Sequence, residues 1–139
     1  MEVRFRLIRA TDVPATNPEG DAYDFGLQDT KGTLQAPQRL ADGRLAFDFA
    51  LTAKPGKEAD RPNFTGVFAS GPADDRFVYL AWRSVPRGVW VNRLKARLRD
   101  IDWPLARQAS ETGAVLVADL TGLPPGGGNR PVDWRLVDG

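Results

Sequence analysis

Arg76, Tyr79, Trp82 and Arg83 fall within ten residues of one another in the stretch DDRFVYLAWR (residues 74–83), and Arg93 and Arg97 follow in VNRLKARLRDI. Two guanidinium forks beside a tyrosine and a tryptophan are what a small acidic or phosphorylated molecule requires: a planar, bidentate partner for each oxyanion and an aromatic wall for the rest. The plainer use of the same residues is core packing, with the Tyr79 hydroxyl and the Trp82 indole N–H finding backbone partners. If 91–101 is a helix, Arg93 and Arg97 stand one turn apart on one flank of an apolar stripe and Lys95 and Arg99 on the other. They then serve either as an anion clamp or as snorkelling cations. Asn92, Ala96 and Asp100 occupy the solvent side of that helix.

The carboxylates come in near pairs: Asp21 with Asp24, Asp74 with Asp75, Asp100 with Asp102. Such pairs serve as acid and base once their environments separate their pKa values. Each pair also sits where aspartate commonly makes turns and caps. The chain has no Cys and no His, which removes disulfides, thiolate–imidazole zinc sites, Cys nucleophiles and every Ser-His-Asp triad. What survives is chemistry by Asp, Tyr or Lys, an oxygen-only metal site, or binding without catalysis. None of the carboxylate pairs matches the Asp-x-Asp-x-Asp-Gly spacing of a calcium loop, and neither a metal nor a cofactor is expected. The run GLPPGGGNR (122–130) lacks the Lys-Ser or Lys-Thr and the following helix of a phosphate loop, and is expected to form a loop without regular structure.

With 19 basic and 18 acidic residues the net charge is +1, too small for the phosphate neutralisation that drives nucleic-acid binding. No apolar run is long enough to span a bilayer. The Arg4, Arg6 and Arg9 of the N-terminal stretch exclude a signal-peptide core. The expectation is a single domain over residues 1–139, cytoplasmic, with neither nucleic acid nor membrane as partner.

The elements that must position these residues show two periodicities. Val3, Phe5 and Leu7 alternate with Arg4 and Arg6; Tyr23, Phe25 and Leu27 alternate with Asp24, Gly26 and Gln28; Leu45, Phe47, Phe49 and Leu51 form a third series. All three read as strands. A weaker strand at 33–40, interrupted by Pro37, and the Asp42-Gly43 turn suggest an antiparallel meander. After the loop AKPGKEADRPN, FTGVFASG and RFVYLAWRS suggest another hairpin. Apolar side chains on both faces of 76–83 place it mid-sheet. Val91, Leu94, Leu98 and Ile101 fit a helical stripe. A second helix then starts at the cap Asp102 and stops at Gly113, followed by strands at 114–120 and 132–137. The predicted fold class is α+β. It consists of a mostly antiparallel, curved sheet (a meander or partial barrel of about seven strands) with two consecutive helices between the fifth and sixth strands.

The block FTG, ASGP and RFVYLAW followed by the basic segment NRLKARLRDI, with DFGLQD near the start, resembles a family of small bacterial proteins known as a domain of unknown function. Its motif is Arg-Phe-x-Tyr-x-x-Trp. The resemblance implies an intact small domain and no particular activity, cofactor or catalytic residue. Taken together, the residues point to a non-catalytic domain for a small anionic ligand, with Arg76, Tyr79, Trp82, Arg83, Arg93 and Arg97 as candidate binding residues. The alternatives are a protein-interaction or homodimerisation module and, third, an enzyme using Asp, Tyr or Lys.

Overall fold

The computed structural model describes residues 1–9, 23–58, 60–84, 92–120 and 126–138; for 23–25, 82–84, 92–93 and 126–130 it describes the backbone. In chain order the elements are β1 (Glu2–Arg9), β2 (Tyr23–Gln28), β3 (Leu34–Gln35), β4 (Gln38–Arg39), β5 (Leu45–Pro55) and β6 (Pro62–Thr65). They continue with β7 (Phe77–Ser84), β8 (Asn92–Arg97), α1 (Trp103–Thr112), β9 (Val115–Asp119), β10 (Gly126–Arg130) and β11 (Arg135–Val137). The fold is a β-rich α+β arrangement with one helix among the described residues.

Two open sheets replace the expected single curved one. The first runs β11-β9-β1-β5-β4, with β6 also paired to β5; the second runs β10-β8-β7-β2-β3. The first is mixed, because β1 pairs antiparallel with β5 and parallel with β9. The second is antiparallel through β8, β7, β2 and β3, and β10 lies parallel to β8. Neither path closes, so there is no barrel.

The alternation read along β1 and β5 holds. Val3, Phe5, Leu7, Leu45, Phe47, Phe49 and Leu51 are buried and join Leu27, Val78, Leu80 and Leu94 of the second sheet, and Leu98 just past β8, in one apolar cluster. Phe5 is at its centre, stacked on Phe49 (5.1 Å) and edge-on to Phe64 (5.6 Å) and Trp134 (5.4 Å), geometries the ring quadrupole favours.

The meander divides in two. β3 pairs with β2 while β4 pairs with β5 in the other sheet. The break falls at Ala36-Pro37, where proline can supply no ladder N–H. β6 likewise pairs with β5 and not with β7, whose link to the preceding segment is one bridge between Ser70 and Phe77. β7 is the central strand, as its two-faced apolar pattern requires: Val78, Leu80 and Ala81 are all buried.

The first expected helix does not form. Residues 92–97 are β8, hydrogen-bonded alongside β7 from Phe77↔Arg97 to Trp82↔Asn92. Leu94 and Leu98, four apart, share a face in either conformation. The burial of Ala96 marks the strand: it is 1% exposed between Leu94 at 0% and Leu98 at 1%, which is period two.

The second helix forms as read. Asp102 Oδ1 accepts from Leu105 N (2.9 Å), Pro104 lies in the first turn and Gly113 closes the helix at φ 69°. α1 adds Ala106 and Ala109 to the core and packs on β1. The glycine run also departs from expectation, since 126–130 pairs with β8 across a register shift between Gly126 and Asn129. Glycines present no side chain to obstruct a neighbouring strand.

Candidate functional site

Of the six residues singled out from sequence, Trp82, Arg83 and Arg93 have side chains outside the described residues. Their backbones lie opposite Phe25, Asp24 and Ala81 respectively. Tyr79 and Arg97 stand on neighbouring strands, Tyr79 opposite Lys95 and Arg97 opposite Phe77. Lys95 Nζ lies 5.0 Å from the Phe77 ring centre and 5.6 Å from that of Tyr79, within cation–π range. Phe77 meets Tyr79 edge-on at 4.8 Å. Arg97 gives its fork to Asp100, with Nη2–Oδ1 2.7 Å and Nε–Oδ2 3.1 Å. That hydrogen bonding raises its pKa above the ordinary arginine value. The Arg97 carbonyl takes the Trp134 indole N–H at 2.9 Å. Arg97 is thus engaged by its own turn, and Arg76 lies elsewhere, ahead of β7.

Arg76 belongs to the wall of a cavity of about 520 Å³. Three segments build it: the β5–β6 hairpin, the turn before β7 and the turn after β8. β5 ends at Pro55, opposite Pro62 where β6 begins, and the hairpin closes by Gly56 N donating to the Arg61 carbonyl (2.9 Å) and Arg61 N to the Glu58 carbonyl (3.2 Å). A Cβ on Gly56 would lie 2.5 Å from the Arg61 oxygen, so the closure requires glycine. The other turns close by Asp75 N to Pro72 O (3.0 Å) and Ile101 N to Leu98 O (3.1 Å). Leu98 N donates to the Arg76 carbonyl (3.0 Å) and Trp103 N to the Asp60 carbonyl (2.7 Å). The Arg61 guanidinium binds the Arg99 carbonyl. The walls are therefore tied to one another by main-chain bonds.

Lys57, Arg61, Arg76 and Arg99 line this space together with the carboxylates Glu58 and Asp74. Arg76 donates Nη1 to the Gly71 carbonyl. Its Nε is buried without a hydrogen-bond partner among the described residues, as is Oδ1 of Asn63 in the same wall. An unmatched buried polar atom costs about 1–3 kcal/mol.

A second hollow, about 590 Å³, lies on the first sheet beside Arg4, Arg6, Asp48, Val115 and Val117. Of its two cations, Arg6 forks Asp48 at 2.6 and 2.8 Å and Arg4 binds the Gly113 carbonyl.

The carboxylate pairs separate. Asp100 holds Arg97 and Asp102 caps α1; Asp74 reaches the cavity wall; Asp21 and the Asp24 side chain lie outside the described residues. Among the described residues no three acidic side chains gather as a metal site, and no helix is long and apolar enough to cross a membrane.

Lys57 and Arg61 escaped sequence reading because no spacing links them to the other cations, and Arg99 entered it only as a flanking cation of the expected 91–101 helix. The available signal was the loop KPGKEADRPN, dense in charge between two prolines.

The chain belongs to a family of unknown function (DUF5990), whose family model matches residues 3–138. No curated protein and no solved structure matches it.

Proposed function

We propose that this chain is a non-catalytic binding domain for a small acidic or phosphorylated molecule, received in the cavity between the β5–β6 hairpin and the turns flanking β7 and β8. The observation that carries this reading is the state of the four cations there. Lys57, Arg61, Arg76 and Arg99 outnumber the two lining carboxylates, and none forms an ion pair with an acid among the described residues. Guanidinium forks held on fixed main-chain carbonyls keep their charge and further N–H groups for an oxyanion, and the low-dielectric walls of a hollow strengthen that attraction relative to an open surface.

A thermal-shift screen against carboxylates and phosphates at two salt concentrations tests it. A ligand at about 100 times its Kd adds about 2.7 kcal/mol, a rise of several degrees for a chain of this length. The shift should shrink at high salt, which screens charges in an open-mouthed cavity, and should vanish in Arg61→Gln/Arg76→Gln while persisting in Arg97→Gln. A selective shift that survives the double variant moves the site elsewhere.

One observation favours the second reading, a homodimerisation module. β11 is an edge strand of the first sheet, and Val137 on it is 48% exposed. Edge strands offer unpaired backbone groups to a second copy. Light scattering over a concentration series tests this reading, and a strict monomer removes it.

A further inference from the structure

Described arginines divide into those that face a carboxylate and those that donate to a main-chain carbonyl, as Arg4 does to Gly113 and Arg39 to Gly43; two of the second kind, Arg61 and Arg76, share one cavity. Arg6, Arg44, Arg97, Arg107 and Arg135 each face a carboxylate, in Asp48, Asp42, Asp100, Glu111 and Asp133. Arg61 and Arg76 do not, although Glu58 and Asp74 line the same cavity. Each donates to a main-chain carbonyl instead, Arg61 to Arg99 and Arg76 to Gly71. A carbonyl occupies part of the fork and leaves the unit charge unbalanced. The two cations come from different walls, Arg61 from the β5–β6 hairpin and Arg76 from the turn before β7.

The space between the walls is about 520 Å³. A water molecule takes about 30 Å³ of liquid, so one compact anion fills only a fraction of it, whereas organic ligands occupy cavities of this order.

We propose that the ligand is an organic dianion whose two acid groups are separated along a short chain, of dicarboxylate type, one group received by Arg61 and the other by Arg76. This rests on the anion-binding reading of the cavity. The excess of two cations over acids in the wall matches two negative charges.

Isothermal titration at low ionic strength with succinate, glutarate and adipate, against butyrate and inorganic phosphate, tests it. At least one dicarboxylate should bind tenfold or more tighter than both comparison anions. Arg61→Gln and Arg76→Gln should each bring that dicarboxylate down to the level of butyrate, and Arg61→Lys and Arg76→Lys should restore part of the difference. Circular dichroism melts confirm that each variant folds. Should Arg76→Gln fail to fold for want of its Gly71 contact, Arg61→Gln and Arg76→Lys carry the comparison. If butyrate or phosphate binds as tightly as every dicarboxylate, the dianion is refuted and the anion site stands. If none of the five binds, both fall together.

Discussion

Ala96→Glu separates the strand at 92–97 from the helix that its leucine spacing also allows. On a helix Ala96 faces solvent with Asn92 and Asp100, where alanine to glutamate costs only a few tenths of a kcal/mol. On β8 Ala96 is 1% exposed, opposite Val78, with Leu94 and Leu98 on the same face of the core cluster. Among the described side chains a carboxylate forced there meets Val78, Leu94 and Leu98, and burying an unpaired charge costs several kcal/mol; the added volume costs about 1–3 kcal/mol more. Even if the side chain escapes part of this by protonation, a loss of about 4 kcal/mol is expected, from a total of about 5–15 kcal/mol for a domain of this kind. With a urea m-value of about 2 kcal/mol/M, the unfolding midpoint falls by about 2 M. Equilibrium urea unfolding followed by tryptophan fluorescence measures it. Lys95→Gln, one residue away on the outer face, is the control; it loses cation–π contacts of about 0.5–1 kcal/mol each. If Ala96→Glu stays within about 0.5 kcal/mol of the parent, as ordinary surface substitutions do, β8 as described here is wrong.

Gly56→Ala tests the hairpin that carries Lys57 and Arg61. Its Cβ would sit 2.5 Å from the Arg61 carbonyl oxygen that Gly56 N itself engages, so a loss of about 1–3 kcal/mol and a weaker response to anions are expected in the thermal-shift assay; an unchanged melt with unchanged binding contradicts the geometry. Asp102→Ala removes the acceptor of Leu105 N and should cost about 1 kcal/mol in a urea titration. Asp102→Asn should retain most of the stability, and an equal loss in both would show that charge, rather than the cap hydrogen bond, matters there.

What sequence reading captured was local. Val3, Phe5 and Leu7, and the series from Leu45 to Leu51, declare their strands because every second residue is apolar and its neighbours are not. Asp102 and Gly113 declare the ends of α1 because capping needs particular side chains at particular dihedrals. The two-faced pattern at 77–81 declares a central strand because only such a strand is covered on both sides. The block around RFVYLAW pointed to the family. In the candidate site, Arg76 alone of the six predicted residues reaches the cavity wall among the described side chains.

The rest depended on partners far along the chain. A four-residue spacing such as Leu94 to Leu98 satisfies both the helical period and the strand period, and Ala96, between them, is too indifferent a residue to choose. The choice came from β7, whose ladder offers 92–97 a row of backbone partners that a helix would leave empty. β1 lies between β5 and β9, antiparallel to one and parallel to the other, an arrangement no local pattern encodes. The cavity has the same origin. Lys57, Arg61, Arg76 and Arg99 lie on three separate turns, and only main-chain bonds between those turns bring the four cations around one space. Alternation and capping are properties of neighbouring residues and were fixed along the chain; the pairing of strands and the gathering of charge are properties of distant ones, decided only when the two sheets closed on a common core.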